Sequence, residues 1–146
     1  MSATNALENG LLSLLFENAN YANVGDATGL RGSSTAGVFY ISLHTANPNE
    51  TGTQTTSEAA YGSYARQSVA RSTAGWTVTS GVADNDAAIP FPAAASGSES
   101  ESHFGVGSDV SGTGNLFLWG ALTAPLAVSA GITPSFAIGA LDVTLD

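Results

Sequence analysis

Val38-Phe39-Tyr40-Ile41-Ser42-Leu43 is a short run of β-branched and aromatic residues that starts after Gly37 and ends at His44. Such composition favours a pleated, half-buried strand over a helix. Similar runs follow along the chain: Tyr61 to Val69, Trp76-Thr77-Val78-Thr79, Ala88-Ile89-Pro90-Phe91, Ser102 to Gly107, Asn115 to Leu122, Ala124 to Ser129 and Phe136 to Leu145. Clusters of Gly, Asn, Asp, Pro and Ser separate them. Short strands punctuated in this way predict a mainly β fold, an antiparallel β-sandwich or jelly-roll-like barrel.

Toward the N-terminus the period changes. Leu7, Leu11, Leu14 and Leu15 fall at i, i+4, i+7 and i+8, one face of an amphipathic helix over residues 6–17, and Asn5 with Glu8 has the spacing of a capping box. Residues 18–35 are rich in Asn, Gly, Ser and Thr and read as an extended arm that orders only against a partner. The expected division is therefore a helix and arm over 1–35 and a β-sandwich domain over 36–146. Within the second part, His44 to Ala60 is a long polar loop of the kind that is functional or disordered. Ala93 to Glu101, with its alternating Ser98-Glu99-Ser100-Glu101, reads as a solvated loop tip. No period of about 20 to 50 residues repeats, which excludes a solenoid or propeller.

At 146 residues the chain can build an ordinary core, and 43% hydrophobic residues argue against wholesale disorder. Charged residues are only 10%, so most of the surface is neutral and polar. There is no Lys; Arg31, Arg66 and Arg71 face twelve acids for a formal charge of -9. Direct nucleic-acid binding is not expected, because nothing neutralises a phosphate backbone. The absence of Cys removes disulfides, thiolate metal sites and Cys nucleophiles. No apolar run approaches the roughly 20 residues of a membrane span, and Leu11 to Phe16 follows Glu8 instead of a basic segment, so a soluble protein made without a signal peptide is expected.

The chain contains none of G-x-S-x-G, the P-loop, H-E-x-x-H or G-x-G-x-x-G. His44 and His103 stand near Ser42 and Ser102, but serine is abundant here, and packing or hydrogen bonding is the expected role of each His. Asp84-Asn85-Asp86 lacks the further ligands of a calcium loop, Ala95 standing where its Glu would be, and is read as turn chemistry. Arg66 and Arg71 are expected to pair with carboxylates, an intermolecular pair at a subunit contact being the specific version of that expectation. Trp76 and Trp119 are expected in the core or at an interface, with a sugar platform the other use of an exposed indole. No catalytic, cofactor or metal residue is assigned.

Three segments resemble a family of small tailed-phage virion proteins described as tail-fibre-like or as capsid decoration (cement) proteins. They are the helix Ala6 to Phe16 followed by Tyr40-Ile41-Ser42-Leu43-His44-Thr45-Ala46-Asn47-Pro48, then Tyr61-Gly62-Ser63-Tyr64-Ala65-Arg66-Gln67-Ser68-Val69, and the ending from Gly120 to Asp146. The resemblance implies a non-enzymatic particle component. The expectation is a decoration protein on the outer capsid surface, contacting the major capsid protein and itself as a homotrimer. Its candidate interface comprises Leu7, Leu11, Leu14, Leu15, Phe16, Arg31, Arg66 and Arg71. The alternative is a tail-associated fibre, collar or adhesin.

Overall fold

The computed structural model describes residues 3–145 and is mainly β, with one short N-terminal helix. Its elements are α1 (Asn5–Phe16), β1 (Val38–His44), β2 (Gln67–Ala70), β3 (Trp76–Thr79), β4 (Val82–Asn85), β5 (Ile89–Pro90), β6 (Ser98–Gly107), β7 (Leu116–Ser129), β8 (Ser135–Phe136) and β9 (Asp142–Thr144). They form sheets ordered β2-β1-β6-β7, β3-β4-β9 and β5-β8. The sheets are sandwich-like, and no barrel closes.

Two compact units share the chain. One takes the residues up to Val38, Ala70–Ala88 and those from Phe136 on; the other takes Phe39–Val69 and Ile89–Ser135.

In the first unit, α1 starts at Thr4, whose extended backbone (φ -97°, ψ 153°) and side-chain oxygen, accepting from Leu7 N–H, make it the cap in place of Asn5. The helix buries Leu12 and Phe16, a stripe roughly a third of a turn from the Leu7, Leu11, Leu14 and Leu15 stripe at 3.6 residues per turn. Phe16 decides which stripe turns inward. Its ring meets the fully buried Trp76 edge-on at 4.6 Å, and burying each ring contributes about 2–3 kcal/mol. Polar bonds fix the remainder: Val78 N–H donates to Glu17 Oε1 at 3.1 Å and Gly81 N–H to Asn9 Oδ1 at 2.6 Å. Arg71 donates to the carbonyls of Leu14, Leu15 and Ala36, a cation on the negative end of the helix.

β3 and β4 form a hairpin across Ser80-Gly81, both at positive φ (52° and 80°), as a two-residue turn that follows strand twist requires. β9 adds to β4 with Asp84 opposite Asp142. The segment after α1 closes on itself. Tyr21 and Leu30 exchange backbone bonds of 2.8 and 2.9 Å, and Asn18 and Asn20 side chains hold Ser33 and Gly32. The asparagines that suggested a floppy arm are the groups that close it.

In the second unit, β1 and β6 pair from Tyr40 opposite Gly107 to His44 opposite His103, and β6 pairs with β7 along its length. Ser98 to Glu101 is thus strand, not a loop tip, and Glu101 is fully buried. Tyr61 to Arg66, expected as strand, is turn and irregular chain, because its aromatics pack locally: Tyr61 meets Tyr64 edge-on at 5.3 Å and Tyr64 stacks on Phe91 at 6.2 Å. β7 is an edge strand, and no charged residue stands between Asp109 and Asp142.

Candidate functional site

The loop from His44 to Ala60 is ordered. Thr45 N–H donates to Ser57 carbonyl and Ala59 N–H to Leu43 carbonyl, both at 2.8 Å, closing its base. At its tip Asn47 Oδ1 accepts Asn49 N–H at 2.7 Å, Asn49 sits at φ 63°, and Gly52 N–H donates to Asn49 carbonyl. Asn tolerates this left-handed backbone because its own amide bonds locally. Asn47, Asn49, Glu50, Thr51 and Trp119 line an open cleft of about 460 Å³. Trp119, 37% exposed on β7, stands beside the His103 ring, with centroids 6.0 Å apart. Ser102 Oγ donates to Thr45 carbonyl and so accepts from His103 Nδ1, which fixes the tautomer and holds the imidazole against the indole.

A second cleft, about 250 Å³, borders Glu58, Tyr64, Arg66 and Val110. Its charged groups are already occupied. Arg66 donates through Nε and Nη2 to both Glu58 oxygens, at 2.6 and 2.8 Å, and through Nη1 and Nη2 to the carbonyls of Asp109 and Gly112. The hydrogen bond to Glu58 is the main cause that raises its pKa further. Buried Gln54 ties the same loop, accepting from Asp109 N–H at 2.9 Å. The carboxylate partner expected for Arg66 lies within this chain.

Ser42 and His44 form a pair that superficially suits nucleophilic catalysis. Thr56 carbonyl accepts from His44 Nδ1 at 2.8 Å, leaving Nε2 to accept the Ser42 hydroxyl at 2.8 Å. Both side chains are fully buried, and a Cβ on Gly105 would lie 2.6 Å from Ser42 Oγ and 2.8 Å from His44 Nε2, so no substrate has room there. Burial lowers the His44 pKa and keeps the ring neutral. The pair is a satisfied core hydrogen bond.

Glu101 differs. Both oxygens are buried without a hydrogen-bond partner, and burial, followed by the neighbouring Glu99 carboxyl, pushes its pKa up to about 8. A carboxyl raised in the folded state supports folding most below its unfolded value and loses that contribution as pH rises through the folded one. Stability is therefore expected to fall between about pH 5 and about pH 9, and Glu101→Gln to flatten that fall and exceed the parent at the alkaline end. Urea midpoints across that range check this; an unchanged slope in the variant would show that Glu101 does not carry it.

Asp84, Asp86 and Asp142 belong to β4, the residue after it, and β9, and desolvation with Asp142 raises the Asp84 pKa. Asp86 accepts from Thr77 Oγ1 at 2.7 Å. Among the described residues no group of three or more His, Asp or Glu is placed to hold a metal ion.

The candidate interface residues differ in exposure. Leu7 and Leu15 are about two-fifths exposed, Leu11 and Leu14 half-buried, Phe16 buried and Arg31 exposed. Arg71 holds the helix end and Arg66 the Glu58 network. Sequence reasoning missed the partner of Arg66, Glu58, whose signal was the scarcity of cations near an otherwise unremarkable acid. It also missed the Asn47 to Thr51 rim, since no spacing rule places a loop beside a strand seventy residues on.

No helix of the described residues is long and apolar enough to cross a membrane. No curated protein matches the chain. The family model described as "Podophage GP4 fiber I protein gp80" matches residues 2–144. With nearly its whole length covered, the chain belongs to this phage virion structural family.

Proposed function

We propose that the protein is a tail-associated fibre component of the virion, without catalytic function, that contacts the host surface. The observation that carries this reading is the fibre description of a family matched over residues 2–144. The buried Ser42–His44 pair and the occupied Arg66 agree with a structural role. Leu7, Leu11, Leu14 and Leu15 form the surface offered to a particle partner, while Leu12 and Phe16 hold the helix to its own unit. Self-association, as a homotrimer, would use the uncharged edge of β7, where copies carrying -9 each meet without like charges. Neither nucleic acid nor membrane is proposed as a partner.

The second reading is a decoration protein bound to the major capsid protein on the outer shell. The low charge and the outward Leu7 and Leu15 favour it. Cryo-electron microscopy of intact virions separates the two. Density at the tail in a few tens of copies or fewer is expected; density repeating over the shell at threefold positions would reject the fibre placement.

A further inference from the structure

We propose that the cleft between the Asn47–Thr51 turn and Trp119 binds a neutral saccharide. The inference rests on the fibre reading for its biological sense and deepens it by naming the ligand class. An indole face is an apolar plate against which the C–H face of a pyranose packs, and the hydroxyls at the ring's edge then need donors and acceptors around the plate. This cleft supplies both, since the lining other than Trp119 is Asn47, Asn49, Glu50 and Thr51.

Part of this polar lining is available, while Asn47 Oδ1 and Asn49 Nδ2 are engaged within the turn. Among the described residues, none bonds to the side chains of Glu50 or Thr51 or to Trp119 Nε1, and the indole is 37% exposed. His103, donating through Nδ1 to Ser102 Oγ, keeps its ring beside the indole.

The site is also pre-formed. The turn is closed by Asn47 Oδ1 to Asn49 N–H, by Asn49 Nδ2 to Asn47 carbonyl at 3.2 Å and by Gly52 N–H to Asn49 carbonyl at 3.1 Å. The indole is braced through His103, Ser102 and Thr45 to the base of the same loop. Little ordering remains to oppose binding, which matters for ligands whose polar groups exchange water for protein at small net gain.

Charge selects within the class. No Arg lines the cleft, Glu50 does, and the chain carries -9. A sugar bearing carboxylate or phosphate would meet repulsion with no countercharge, whereas a carboxylate is a strong acceptor for neutral hydroxyls. Hydrolysis of a glycosidic bond ordinarily requires two carboxyl groups, and Glu50 is the single acid on the lining, so the site binds without turnover.

The test is titration of the full chain with neutral oligosaccharides of glucose, galactose and N-acetylglucosamine, beside oligogalacturonate and sialyllactose, read by calorimetry and tryptophan fluorescence. At least one neutral oligosaccharide should bind and perturb fluorescence, and Trp119→Ala should weaken it at least tenfold while the melting temperature stays within a few degrees. Thr51→Ala, at the exposed rim, should weaken it severalfold and provides an independent readout if the Trp119 variant folds poorly. No binding by any neutral member, tighter binding of the acidic members, or binding untouched by both substitutions would overturn the inference. Because the titration uses isolated protein, its failure leaves tail placement standing, and a saccharide binder found on the shell would overturn the placement alone.

Discussion

Arg66→Ala is expected to lower the stability of the unit that contains it by about 3–5 kcal/mol, the usual cost of removing one partner from a buried ion pair. The Arg66 side chain is 3% exposed and that of Glu58 16%, so the carboxylate left behind keeps little water. It would retain the Tyr64 hydroxyl, at 3.1 Å, as a donor, and lose two charge-assisted bonds. The loss extends further, because the carbonyls of Asp109 and Gly112 lose their guanidinium donors. Arg66→Lys should recover only a minor part: one ammonium cannot meet both Glu58 oxygens and two diverging carbonyls, a geometry that needs the planar fork. Replacing Glu58 and Arg66 together by Leu and Met should cost less than Arg66→Ala alone, since no charge then remains buried, and the remaining deficit measures the two carbonyls. Urea denaturation of the four proteins checks the order; a Lys variant as stable as the parent would show that charge, not shape, sustains the contact.

Asn85→Leu is expected to cost at least about 3 kcal/mol, because several buried polar groups lose their partner at once. Asn85 is 1% exposed, donates to the carbonyls of Ala87 and Ala137 at 2.7 and 2.8 Å, and accepts from the N–H groups of Ala140 and Leu141 at 3.1 and 2.9 Å. One amide thus shapes the chain leading into β9. Asn85→Asp is the sharper test. The acid keeps an acceptor for Ala140 and Leu141 but turns its second oxygen against two carbonyls, which only the protonated form tolerates. Its pKa in the folded state should therefore be raised, so the variant should be closest to the parent at acid pH and lose stability as pH rises through that value. Melting temperatures from about pH 4 to about pH 8 would show this, and a variant that gained stability over that range would contradict the assigned amide orientation.

Strands rich in Val, Ile, Phe and Trp were legible in the sequence, because their side chains alone state the preference: Trp76–Thr79 and Val38–His44 stand essentially where composition puts them. What escaped was decided by tertiary contact. Ser98-Glu99-Ser100-Glu101 looks solvated, yet it lies along β7 with Glu99 opposite Val128, a pairing to which Ser and Glu contribute nothing readable. β4 contains Asp84 and Asn85, poor strand formers, and is made by the Ser80-Gly81 turn before it and β9 beside it. The helix showed its apolar residues plainly, but two stripes compete on it, and only the position of Trp76 decides between them. The cleft was legible as ingredients, a polar loop and an indole, and not as a site, since nothing local in either segment specifies the other.

The first unit draws its strands from distant parts of the chain, with β9 completing a sheet begun at Trp76. That arrangement orders events during synthesis. The helix and the β3–β4 hairpin emerge early but cannot close their sheet until residues 142–144 have left the ribosome, whereas the β1, β6 and β7 strands are all available sooner. A released chain truncated after Leu141 should therefore hold a protease-resistant second unit beside a cleavable helix, and a tag or fusion placed close behind Thr144 would hinder the last strand from docking.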